Sequence, residues 1–177
     1  MVGLVLVSHS RELADALVRF VEAAAAVRVP LAVAAGAGSA QSAQNAQNAP
    51  EGRLGTDAVA IERAILSVSG PDGVLVLMDL GSALLAAETA LELLPEQTRR
   101  GVRLCPAPLV EGAIAAAARI AAGGSLEEAF TEAAGALGPK VEHLGGTAVA
   151  APAAPAAERV AWDAATETGG PWLEAEA

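Results

Sequence analysis

The chain is poor in lysine, aromatic residues, cysteine and histidine, and each shortage removes a class of function. Lys140 is the only lysine. A phosphate-binding loop of the GxxxxGK[ST] type needs a lysine after its glycine, so none can be built, and a lysine Schiff base is not expected. Aromatic residues make up 2% of the 177 positions, with no Tyr. The stacking platforms of single-strand nucleic-acid binders are therefore missing. Eleven Lys+Arg against 21 Asp+Glu leave a formal charge of −10, which repels phosphate backbones and anionic lipid. Neither nucleic acid nor membrane is an expected partner. The one cysteine, Cys105, excludes an internal disulfide and any CxxC zinc or redox site, and it fits a reducing compartment. No apolar run approaches the roughly 20 residues of a bilayer span, and MVGLVLVSHSRELAD carries no basic leader. A cytoplasmic location is expected.

What is present is a large apolar fraction, 53%, much of it alanine. That suits one domain of closely packed helices followed by a tail. Val2 to Val7 is a short β-branched run and predicts a strand buried on both faces. Ser10 is placed to cap a helix whose Leu13, Leu17, Phe20, Val21 and Ala24 recur at helical spacing. Val29 to Ala35 predicts a second strand, and Pro30 near its start suggests a sheet edge. Residues 37–54 are polar and of low complexity and predict a solvated loop. A helix follows from Thr56 or Asp57, then a strand at Val74 to Met78. The next helix begins at Gly81 and Ser82, with Leu84, Leu85, Leu91 and Leu94 as its apolar residues and Pro95 closing it. Val102 to Cys105 predicts the fourth strand, followed by a helix ending at Gly123 and Gly124. Ser125 and Glu128 form a capping box for a last helix with inner residues Leu126, Phe130, Ala133 and Leu137, stopped by Gly138 and Pro139. Four short buried strands alternating with helices imply an α/β fold, a doubly wound, mainly parallel sheet covered on both faces. The domain is expected at 1–138. Residues 139–177 predict a Gly/Ala/Pro-rich, linker-like tail with Trp162 and Trp172 in it.

Ligands of such sheets bind at the carboxyl ends of the strands, where strand order reverses. Two strand ends carry reactive side chains: Ser8-His9-Ser10 after the first and Asp79 after the third. If those strands are neighbours, His9 faces Asp79, and both precede helix N-termini that favour a phosphoryl group. A carboxylate that accepts from Nδ1–H leaves Nε2 free as a nucleophile, which points to a phosphohistidine. His143, in the tail, has no partners of this kind. Too few ligands exist for a zinc site, which needs roughly three or four, and no metal or other cofactor is expected. GAGSAQ, from Gly36, begins like a dinucleotide fingerprint but lacks the third glycine.

LVLVSHSRELADAL, LGTDAVAIERAI, VLVLMDLGSALLAAETALELL and VRLCPAPLVEGAIAAA, in this order, resemble the DhaM family. These are phosphotransferase subunits of phosphoenolpyruvate-dependent dihydroxyacetone kinases, whose first domain is similar to the mannose-type EIIA of the sugar phosphotransferase system. The resemblance implies a four-stranded, homodimeric domain with His9 as the phosphorylated residue and Asp79 orienting it. It also implies that Gly81, Ser82 and Ala83 offer backbone N–H groups to the phosphate. Ser10 is implied as a further phosphate-binding residue, and Gly36, Gly55, Thr56 and Asp57 as the pocket rim. Phosphate would come from phospho-HPr and pass to ADP held in a DhaL subunit. The resulting ATP would phosphorylate dihydroxyacetone bound to DhaK. Family members exist with HPr-like domains after an Ala/Pro-rich linker; here only linker-like sequence follows, so HPr is expected to be a separate protein. The 37–54 loop is long for the family. A mannose-type EIIA serving a membrane transporter is the neighbouring alternative. Its third-strand motif is DLFGGSP-like, and MDLGSALLAAE, with one glycine and no proline, favours the dihydroxyacetone branch.

Overall fold

The computed structural model describes residues 1–24, 28–36 and 54–145. The expected loop, apart from Leu54, lies outside the described residues, as do both tryptophans and the tail beyond residue 145. The described elements run β1 (Gly3–Ser8), α1 (Arg11–Ala24), β2 (Leu31–Ala35), α2 (Ala58–Val68), β3 (Val74–Met78) and α3 (Gly81–Leu93). They continue with α4 (Glu96–Arg99), β4 (Val102–Cys105), α5 (Leu109–Ala121), α6 (Leu126–Ala134) and α7 (Gly138–His143). Residue contacts divide the chain into Met1–Lys140 and Val141–Ala177. Of the second unit, only 141–145 are described.

The sheet order is β2-β1-β3-β4, and every pairing is parallel. Pro30 thus precedes an edge strand, where its missing N–H costs no ladder bond. Strand alternation sends Leu4, Leu6, Leu75 and Leu77 to one face, where they pack with Leu17, Val21 and Ile120 of α1 and α5. Val5, Val7, Val74 and Val76 go to the other face and meet Ile61 and Ile65 of α2 and the alanines of α3. Strand order reverses between β1 and β3, so the crevice at their carboxyl ends is the switch point.

Helix faces differ from expectation in one consistent way. On α3 the buried residues are Ala83, Ala87 and Ala90, while Leu84 and Leu85 are exposed. On α1, Ala14 is buried with Leu17 and Val21, while Leu13 and Phe20 are exposed. On α6 the expected Leu126, Phe130 and Ala133 do face the core, joined by buried Ala129, while Leu137 lies past the helix and is exposed. Small side chains let these helices approach closely, and close packing outweighs the larger apolar area of leucine. Two short helices, α4 and α7, were not expected. Gly135 caps α6, ahead of the predicted stop at Gly138 and Pro139. Pro139 instead sits in the first turn of α7, where no N–H is needed. The predicted caps at Ser10 and Ser125 form, and of Thr56 and Asp57 it is Asp57 that caps α2.

Candidate active site

The rung that pairs Val7 with Met78 brings the ends of β1 and β3 level. His9 and Asp79 follow those ends and meet. The His9 amide donates to Asp79 Oδ2 at 2.8 Å, and the imidazole Nδ1 lies 2.8 Å from Oδ1. Ser8 Oγ donates to Oδ2 at 3.0 Å, and the Leu80 amide to Oδ1 at 2.8 Å. Burial pushes the Asp79 carboxyl up, but the bonds from His9, Ser8 and Leu80 outweigh it and hold the group below the ordinary aspartate value. An ionised carboxylate can only accept, so Nδ1 carries a proton, and in the neutral ring the lone pair is then on Nε2. The Ser82 hydroxyl lies 2.7 Å from Nε2 and donates to it. The His9 side chain is 20% exposed and that of Asp79 13%. The nucleophilic nitrogen is therefore reachable while its orienting carboxylate is largely enclosed.

The first turn of α3 faces this nitrogen. Its cap residue, Leu80, has no capping side chain. Among the described residues, the Gly81 and Ser82 N–H groups have no hydrogen-bond acceptor, whereas the Ala83 N–H donates to the Leu80 carbonyl at 3.0 Å. Two amides and the Ser82 hydroxyl remain as donors for an anion at the positive end of the helix. Ala83, fully buried, packs against the sheet.

Ser10 is occupied locally. Its hydroxyl accepts from the Leu13 amide at 3.2 Å and donates to Glu12 at 2.7 Å, and that bond lowers the Glu12 carboxyl below its ordinary value. The rim glycines touch the Ser8-His9 backbone. Gly36 N–H donates to the Ser8 carbonyl at 3.2 Å and Gly55 N–H to the His9 carbonyl at 3.0 Å. Gly36 has φ +82°, which lets the chain turn off β2 without strain. Thr56 is half-buried beside them, and the Asp57 carboxylate is spent on capping α2. His143 is exposed at the end of α7.

Two features escape a reading of residue types. The Ser82 side chain, not only its amide, reaches Nε2. Ser8 is wholly buried and bonded to Asp79. The serine on each side of His9 was the available signal, but only the fold shows that one points inward. A shallow apolar groove beside Asp79 is bordered by Leu80, Leu84, Leu104 and Pro106, with Cys105 at its base. Burial pushes the Cys105 thiol up, which keeps it protonated and a poor nucleophile. No helix among the described residues is long and apolar enough to cross a membrane.

The comparisons agree with the fold, a four-stranded all-parallel α/β domain. Residues 3–130 match the family model EIIA-man, described as PTS system fructose IIA component, and the chain belongs to this family. Its relatives include the Escherichia coli (strain K12) protein named PEP-dependent dihydroxyacetone kinase, phosphoryl donor subunit DhaM. That protein is 43% identical over 146 residues, 82% of this chain and 29% of its own length. A Listeria innocua protein, the DhaM subunit of dihydroxyacetone kinase 2, is 35% identical over 117 residues, 66% of this chain and 84% of its own. Among solved structures, one described as the unknown function protein EF1359 matches with a TM-score of 0.61 and 29% identity, covering 76% of this chain and 94% of that one. The matched part spans 29% of the Escherichia coli relative and the same share of the Providencia stuartii one.

Proposed function

We propose that this chain is the phosphohistidine carrier of a phosphoenolpyruvate-dependent dihydroxyacetone kinase, with His9 as the group that carries phosphate. The observation that carries the reading is the Asp79–His9 pair, Oδ1 to Nδ1 at 2.8 Å. It keeps the proton on Nδ1 and leaves Nε2 facing the open first turn of α3. Transfer in then balances simply. The Nε2 lone pair forms a P–N bond as the donor's P–N bond breaks, and the electron pair stays with the donor. Nδ1–H remains in place, and the ring's new positive charge faces Asp79. Transfer out reverses this toward a phosphate oxygen of ADP.

The donor is proposed to be phospho-HPr, and the acceptor ADP bound in a DhaL-type subunit, with DhaK downstream. Lys140, far along the chain in α7, is the sole lysine, so this sequence cannot form a GxxxxGK[ST] phosphate loop, and on this reading the acceptor subunit brings both nucleotide and metal. A homodimer in the cytoplasm, with the stretch beyond α7 as linker, completes the proposal. The relatives named DhaM support this branch. The test offers phosphorylated protein to free ADP–Mg²⁺, to an ADP-loaded DhaL subunit and to a mannose-type EIIB. Discharge by the loaded subunit alone supports the reading. Rapid discharge by EIIB, with none by the loaded subunit, assigns the chain to sugar transport instead.

A further inference from the structure

Ser8 is the buried polar residue of the described core, with 0% of its surface exposed. The strand before it, Leu4 to Val7, is wholly apolar and buried, so packing alone would be served by another apolar residue here. The hydroxyl nonetheless both donates and accepts, and both partners belong to the site. It donates to Asp79 Oδ2 at 3.0 Å and accepts from the Ser10 N–H at 3.2 Å. Oδ2 is thus held by two donors, the Ser8 hydroxyl and the His9 amide, and Oδ1 by two more, the imidazole and the Leu80 amide. The turn that carries His9 and the carboxylate that orients it are joined through one buried oxygen.

We infer that Ser8 is a positioning residue for phosphoryl transfer: its hydroxyl fixes the rotation of the Asp79 carboxylate and the Ser10 amide, and so holds Nδ1–H toward Asp79 and Nε2 toward the incoming phosphorus. It touches no reacting atom. The inference rests on the reading of His9 as phosphate acceptor. Without the hydroxyl, Oδ2 keeps one donor, the Ser10 N–H points inward with no acceptor, and the carboxylate is held by three donors instead of four and less tightly. The imidazole then spends less time in the orientation that presents its lone pair.

The test compares the full chain with Ser8→Ala, Ser8→Thr and Ser8→Val. Threonine and valine have the same shape, so the difference between them reports the hydroxyl alone. Two readouts are taken: the ¹⁵N signals and Nδ1-bound proton of the His9 imidazole, and the initial rate of phosphate uptake from phospho-HPr. Ser8→Thr should keep the sharp Nδ1–H signal and a rate near that of the unaltered chain. Ser8→Val and Ser8→Ala should broaden or lose that signal and slow uptake by about ten- to a hundredfold, the range found for hydrogen-bond partners that orient metal-ligating histidines. Valine and threonine variants alike in both readouts would overturn the inference while leaving the carrier reading intact. If the unaltered chain takes up no phosphate, the carrier reading fails, and the imidazole signals alone then decide whether Ser8 positions the ring.

Discussion

Asp79 accepts from His9 twice, once from the backbone amide and once from the imidazole, both at 2.8 Å. The two bonds use different carboxylate oxygens, so the ring cannot turn without disturbing the strand end. This follows from the parallel pairing of Val7 with Met78, which sets the two residues just past one rung of the sheet. Orientation of the His9 imidazole is therefore a property of the sheet's register rather than of a loop.

Replacing Asp79 by Asn should leave the fold in place and slow phosphate uptake. An amide cannot accept at both positions, so one of the two His9 bonds is lost and the wrong tautomer is admitted. Loss of the orienting carboxylate in a serine-protease triad costs about 10⁴ in rate; with direct attack by the ring, roughly ten- to a thousandfold is expected here. The initial rate with phospho-HPr checks this, alongside a thermal melt. An unchanged rate would remove Asp79 from the mechanism.

Ser82→Ala should weaken the phosphorylated form more than the free one. In the free protein the hydroxyl bonds a neutral nitrogen, Nε2. After transfer it has a charged phosphoryl oxygen to bond, and charge-assisted hydrogen bonds are the stronger kind. A difference of about 1 kcal/mol corresponds to a roughly fivefold fall in the equilibrium constant for phosphate uptake from phospho-HPr, and so to a smaller phosphorylated fraction. Ser82→Thr should restore most of it. The fraction is read by gel shift or intact mass, and no change in the alanine variant would contradict a hydroxyl role.

The acid dependence of stability has a definite sign. Asp79 is held below its ordinary value in the folded protein, so its ionised form stabilises the fold above the unfolded aspartate value, about 3.9. That contribution is lost as pH falls through the lower, folded value. Glu128 behaves alike, held at about 2 by the Ser125 amide and hydroxyl and by Arg119. Urea unfolding from pH 7 to pH 3 should show the stability gap between the wild type and Asp79→Asn steady down to about pH 5 and narrowing below about 4. A gap that widened on acidification would contradict the assignment of an ionised Asp79.

The buried face of α3 predicts an inverted hydrophobic rule. Ala87 is fully buried and Leu85 is 65% exposed. Ala87→Leu should overpack the interface with α2 and the sheet and cost about 1–3 kcal/mol. Leu85→Ala should change stability by no more than about 0.5 kcal/mol. Denaturant midpoints for the two variants check the ordering, and the reverse order would show that leucine, not alanine, faces the core.

That ordering also marks how far the sequence could be read. The strands are legible because β1, β2 and β3 hold short apolar runs between turn residues, and Pro30 even marks the edge; β4 is shorter and carries Arg103 among its apolar residues. Helix starts are legible where Ser10, Asp57 and Ser125 cap them. Helix faces are less so, because hydropathy ranks leucine above alanine while close packing prefers the smaller residue. The four-residue α4 and six-residue α7 carry too few positions to show a period. In the site, His9 and Asp79 stand out as the reactive side chains at two strand ends. Ser8 and the Ser82 hydroxyl do not, since a serine looks the same whether it faces water or a buried carboxylate.

The most direct test is the position of the phosphate itself. Protein labelled with ¹⁵N-histidine is phosphorylated with enzyme I, HPr and phosphoenolpyruvate, and ¹⁵N–³¹P coupling is recorded. The geometry predicts one acid-labile phosphate, coupled to Nε2 of His9, with the proton retained on Nδ1 beside Asp79. Phosphate on Nδ1, on His143, or still taken up by His9→Ala would contradict it.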